Sequence, residues 1–97
     1  MFNNQRYVTR GISNELPLML KIILWGIIDS MEVVEKDYLQ VFRLSAESGK
    51  QNYVHEQEQP EYSKEYLFPS DNPITAKIFV IDNATHTTML LAEEYKG

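Results

Sequence analysis

Apolar residues crowd one stretch of the chain. In "LPLMLKIILWGIID" (16–29), ten of the thirteen residues from Leu16 to Ile28 are apolar. At about 100° per residue, Leu16, Leu20, Ile23, Leu24, Ile27 and Met31 fall on one stripe with i, i+3, i+4, i+7 spacing. The stripe predicts a helix over about 15–31 that packs on a core. Ser13 or Asn14 offers an N-cap, Glu15 complements the helix dipole, and Pro17 suits a first turn, where its missing N–H is not needed. A second stripe, Leu18, Ile22 and Trp25, runs along the flank and ends at Asp29. Lys21, Ser30 and Glu32 leave the helix little polar territory. One sheet face does not readily cover both stripes. Either the tyrosine-rich segment 60–68 folds over the second one, or another chain does. Tryptophan is among the residues most enriched at binding hot spots.

The rest of the chain reads as strands and turns. "QRYVTR" (5–10) alternates Tyr7 and Thr9 against Val8 and the arginines, which suits a strand. "YLQVFRL" (38–44) is rich in β-formers. "SAESGK" (45–50) is a turn in which Gly49 is free to take positive φ. "QNYVHEQEQ" (51–59) is its antiparallel partner, polar enough to lie near an edge or to have one face in water. Segment 60–68 reads as irregular structure or a short helical turn, and "PSDNP" (69–73) as a loop. "AKIFVID" (76–82) and "HTTMLLAEEY" (86–95) flank "NAT" as a hairpin, with Asn83 the expected left-handed turn residue. Their apolar runs "IFVI" and "MLLA" mark strands that are central or covered on both faces, so this hairpin is expected to be the middle of the sheet. The expected fold is a single α+β domain over 1–97. It has a mostly antiparallel sheet of about five strands, in the order β-α-β-β-β-β, with one long helix across one face.

Composition narrows the function. With no cysteine, a disulfide framework, a thiolate zinc site and a cysteine nucleophile are all excluded. The N-terminus "MFNNQRYVTRG" lacks the pattern of a signal peptide, and the apolar run falls short of the ~20 residues a bilayer span needs. The expectation is a cytoplasmic protein. Net charge is -5 with a pI near 4.9, the opposite of the balance usual in a non-specific nucleic-acid binder. From Glu47 to Glu65 five glutamates face only Lys50 and Lys64. Such a surface is a solvated face, a site for a basic partner, or a nucleic-acid mimic, although an effective mimic is usually more acidic.

Chemical constellations are sparse. His55 and Gln57 fall on one strand face, Glu56 and Glu58 on the other, which argues against side-by-side chelation. Asp82 and His86 straddle a tight turn and are expected to close the hairpin by a hydrogen bond rather than act as a base. The four glycines are scattered, so no phosphate loop is present. No enzyme activity, metal or cofactor is expected. Arg6, Tyr7 and Arg10 form a local basic patch able to grip a nucleic-acid backbone or base. The plainer alternative is an edge strand whose arginines pair with glutamates of a neighbouring strand.

The segments "MFNNQRYVTRGI", "LWGIIDSMEVVEKDYLQVF", "HEQEQPEYSKEYLF" and "IFVIDNATHTTMLLAEEY" resemble the staphylococcal domain-of-unknown-function family numbered nine hundred and sixty, over essentially the whole chain. The resemblance implies a short accessory protein of chromosome cassettes, phages and related mobile elements. It carries no catalytic residue. A glycine is expected in many relatives where this chain has Ala84, which leaves the turn type at 82–86 open. The expected function is a non-enzymatic interaction module that binds itself or a replication, recombination or defence protein. Leu18, Ile22, Trp25, Glu56, Glu58 and Glu61 are the candidate partner-binding residues. The alternative is a small nucleic-acid-binding protein using Arg6, Tyr7 and Arg10. No membrane association is expected.

Overall fold

The computed structural model describes residues 2, 4–33, 35–83 and 85–95. The elements are β1 (Gln5–Val8), α1 (Arg10–Glu15), α2 (Leu18–Asp29), β2 (Leu39–Glu47), β3 (Lys50–Gln57), β4 (Tyr62–Pro69), β5 (Ala76–Asp82) and β6 (His86–Leu91), followed by a 3₁₀ turn at Ala92–Glu94. The strands form one six-stranded sheet in the order β1-β6-β5-β2-β3-β4.

Three features overturn the expected five-stranded antiparallel sheet with one long helix. The sheet is mixed, because β1 runs parallel to β6. The direction of an edge strand is set by its connection, and alternation within the strand carries no trace of it. Here β1 joins β2 through both helices and the 30–38 segment, a crossover long enough to return the chain in the same direction. Next, 60–68 is not a lid: Tyr62–Pro69 pairs residue for residue with β3 as the sixth strand. Only one of its edges is bonded and most of its side chains are exposed, so a polar, uneven sequence suffices.

Finally, the helix is broken. Leu16 takes φ -106 and ψ 129, because the ring of Pro17 disfavours helical backbone in the residue before it. Pro17 then caps α2 with extended backbone, and its carbonyl accepts from Leu20 N and Lys21 N. The short α1 starts earlier than expected. Its N-cap is Thr9, whose hydroxyl accepts from Ile12 N at 3.3 Å; Ser13 and Asn14 lie inside the helix.

The strands also end differently. Arg10 and Thr9 leave β1, and Ala92–Glu94 turns out of β6. The β2–β3 turn contracts to two residues, Ser48 (φ 48) and Gly49 (φ 75), both left-handed as a type I′ turn requires. Asn83 does not take positive φ. Instead its Oδ1 accepts from Thr85 N and His86 N, both at 3.0 Å. Ala84, and with it the exact turn type, lies outside the described residues.

One face of the sheet is covered. Leu16, Leu20, Leu24, Ile27 and Ile28 pack with Phe42, Leu44, Tyr53, Ile78, Val80, Met89 and Leu91 in one core. The opposite face has no second layer among the described residues. Leu39, Val41, Val54, Phe79 and Ile81 stand on it half-buried.

Candidate functional site

The two stripes of α2 have opposite fates. The inner one is buried, with Ile23 partly so. On the outer one, Leu18 is 70% and Ile22 54% exposed, and Met19, beyond Ile22 on the wheel, is 63% exposed. β4 does not reach them. Met19 was legible in the apolar run, since it lies three residues before Ile22.

Trp25 departs from that outer group. It packs against the core, and the Arg6 guanidinium lies 4.7 Å from its ring centre. The same guanidinium grips the Asp29 carboxylate with both terminal nitrogens, one at 3.2 Å. Arg6 thus pins the C-terminal end of α2 to β1. Tyr7 meets the His86 ring edge-on at 5.3 Å, and Arg10 opens α1 rather than sharing a strand face with Arg6. The three residues of the basic patch are therefore split between β1 and α1, and Arg6 pairs with Asp29 of α2 rather than with a glutamate of a neighbouring strand.

Glu56, Glu58 and Glu61 do come together. They line a shallow groove of about 710 Å³ with Val41, Arg43 and Tyr62, at the end of the β3–β4 hairpin. Arg43 Nε bonds Glu56 Oε1 at 2.7 Å and so neutralises one carboxylate of the three.

Asp82 and His86 do not bond each other. Asp82 Oδ1 accepts from Thr87 Oγ1 at 2.7 Å, while the His86 nitrogens face Thr85 Oγ1 (2.9 Å) and Asn83 Nδ2 (3.3 Å). The residues that close this turn are Asn83 and Thr85. Among the described residues no group of three or more histidines and carboxylates could hold a metal.

A polar cluster inside the core escaped sequence reasoning. His55 is fully buried, stacked on Phe42 at 4.5 Å with Tyr62 edge-on at 5.5 Å. Gln40 Nε2 donates to Gln57 Oε1 (2.7 Å) and Asp37 O (2.9 Å), which turns its own Oε1 to His55 Nε2 at 2.6 Å. His55 is therefore the donor of that bond, and its Nδ1 has no hydrogen-bond partner. Burial pulls the imidazole pKa down to about 4, against a smaller upward pull from the Glu56 charge. Gln57 Nε2 donates to Glu35 O and Pro60 O, and Gln57 Oε1 also accepts from Asp37 N. These contacts hold the 35–37 and 57–60 segments together, and Gln57 and Tyr62 also line the groove of Glu56, Glu58 and Glu61.

A family model described as "Staphylococcal protein of unknown function (DUF960)" matches residues 5–94. A search of curated proteins finds no match. Among solved structures, the chain is similar to the crystal structure of a protein of unknown function from Enterococcus faecalis. The TM-score is 0.86 at 26% identity, covering 97% of this chain and 92% of that one. No helix in the described residues is long and apolar enough to cross a membrane.

Proposed function

We propose that this chain, which belongs to the staphylococcal family of proteins of unknown function DUF960, is a non-enzymatic interaction module that docks a partner protein on the outer side of α2. The observation that carries this reading is one helical turn with Leu18, Met19 and Ile22 all more than half exposed. Contiguous exposed apolar groups of this kind on a soluble domain mark contact surfaces. A helix face of this size suits helix-in-groove or helix-on-helix recognition. The groove of Glu56, Glu58 and Glu61 favours a basic segment on the same partner. The resemblance to mobile-element accessory proteins makes a cytoplasmic replication, recombination or defence protein the partner class to test.

The experiment is affinity capture from a host carrying such an element, with wild type compared to a Leu18→Asp/Ile22→Asp chain. Both side chains point to solvent, so the variant should keep the wild-type circular dichroism and melting temperature while losing the captured protein. Capture that is unchanged in the variant defeats the α2 reading. Trp25 is a poor probe, because its ring is part of the core and of the Arg6 contact. The nucleic-acid alternative is weaker on this geometry, since Arg6 is committed to Asp29 and Trp25.

A further inference from the structure

The two edges of the sheet are not equivalent. β1 has four residues, and Arg6 ties it to α2. β4 has eight, joined to β3 in unbroken one-to-one register, with no strand beyond it. The direction of its free main-chain groups follows from the register. The two-residue β2–β3 turn makes Glu47 and Lys50 a hydrogen-bonded pair, so alternate pairs along that ladder bond and the rest face away. Asp82 N to Tyr38 O and Asn83 N to His86 O keep the same alternation across the sheet. On β3, Gln51, Tyr53, His55 and Gln57 then bond toward β4, opposite Phe68, Tyr66, Lys64 and Tyr62. The N–H and C=O groups of Ser63, Glu65 and Leu67 point outward with no strand to receive them. Leu67 and Phe68 beside them are 45% and 39% exposed. An edge this long, with no proline before Pro69 and no bulge in its register, is a template for another strand.

We propose that β4 pairs antiparallel with β4 of a second copy, the two strands centred on Tyr66. The occupant and register are chosen by self-complementarity. For the two sheets to continue with the same faces aligned, residues of like parity must oppose. Centres at Lys64 or Glu65 set identical charges directly opposite, which is destabilising. A centre at Leu67 leaves Ser63 without a strand partner. The centre at Tyr66 opposes Tyr66 to Tyr66, Lys64 to Phe68, Glu65 to Leu67 and Ser63 to Pro69. Every outward N–H then meets a carbonyl, and the only N–H missing is that of Pro69, which has none to give. On one face this row extends the stacked Tyr66 and Phe68 rings and the Lys64–Tyr66 contact already present within one copy. The inference deepens the interaction-module reading by adding a like partner, on a surface separate from α2.

The test is sedimentation equilibrium of the full chain over a wide concentration range, repeated for Glu65→Pro. Proline is tolerated on an edge strand where the lost N–H faced solvent, so the variant should stay folded by circular dichroism and lose the dimer. Because the chain has no cysteine, register is read directly. Lys64→Cys/Phe68→Cys should form an interchain disulfide under mild oxidation, while Lys64→Cys alone should not. The two positions are too far apart along one strand, about 13 Å, to bridge within a chain. A wild type that stays monomeric at every concentration overturns the proposal. So does a dimer that survives Glu65→Pro, or one lost only in Leu18→Asp/Ile22→Asp. That last result would place self-association on α2. Partner capture is scored separately, so failure at β4 leaves the reading of α2 standing.

Discussion

The covered face of the sheet has two halves built on different chemistry. Beneath α2 it is apolar: Ile78, Val80, Met89 and Leu91 meet Leu20, Leu24 and Ile27. Beneath residues 35–38 it is polar: Gln40, His55 and Gln57. The difference lies in what covers each half. A helix satisfies its own main chain, so the strands under it need only fill space. An irregular segment leaves N–H and C=O groups that must find partners once they are buried. Gln57 supplies them for Glu35, Asp37 and Pro60, and Gln40 for Asp37. Gln51 repeats the device under the 70–75 loop, where it bonds both Ile74 N (2.8 Å) and Ile74 O (2.9 Å).

The contrast can be broken from either side. Leu24→Ala should cost about 3–5 kcal/mol, the upper part of the range for a fully buried leucine, measured by urea denaturation. Gln57→Leu adds apolar surface to the other half yet should cost about 3 kcal/mol, because buried groups of the 35–37 segment and Gln40 lose their partner. If Gln57→Leu is neutral, the glutamines are not what holds that segment.

The polar half should also carry the pH dependence. The unfolded chain protonates His55 near its ordinary value of 6.5, the folded chain only near 4. Between those values the unfolded state binds more protons, so stability falls as pH drops. The loss should reach roughly 2 kcal/mol between pH 7 and 5. In His55→Leu the slope over this window should flatten. Glu94 adds a separate decline at lower pH. Its bond from Thr9, then those from the Leu91 and Gly11 amides, hold its pKa below the ordinary range, and that stability goes as the carboxylate protonates.

A smaller effect belongs to Gly11. A Cβ there would lie 2.7 Å from the Glu94 carboxylate, so Gly11→Ala should push Glu94 off its three partners. The cost should be about 1 kcal/mol, read as a lower melting temperature with a weaker acid-side slope. The smallest effect is expected outside the core. Leu18→Ala should change stability by less than about 0.5 kcal/mol, since the side chain touches little. A larger loss would mean that the outer side of α2 is covered.

Much of this was legible in the residues alone. Of the inner stripe, Leu20, Leu24 and Ile27 are buried on α2 as their spacing requires and Ile23 partly so, because helical periodicity is local information; Leu16 and Met31 are buried too, but outside the helix. The strands over 39–44, 51–57 and 76–82 declare themselves in the same way. Family membership was also readable, since long quoted segments carried it.

Other features depend on contacts distant in sequence. Whether 60–68 is a lid or a strand turns on whether β3 offers a free edge, and nothing within 60–68 says so. The direction of β1 depends on a crossover of thirty residues (9–38) between it and β2. Arg6 looked free for a nucleic acid until Asp29 and Trp25, on another element, came beside it. Glu56, Glu58 and Glu61 gathered into a groove because a hairpin folded. Thus the chain's own periodicity determined which residues seek a core and roughly where its elements lie. Tertiary structure decided strand order, strand direction and which apolar groups stay in water, because those depend on which edges and faces remain unpaired after every other element has packed.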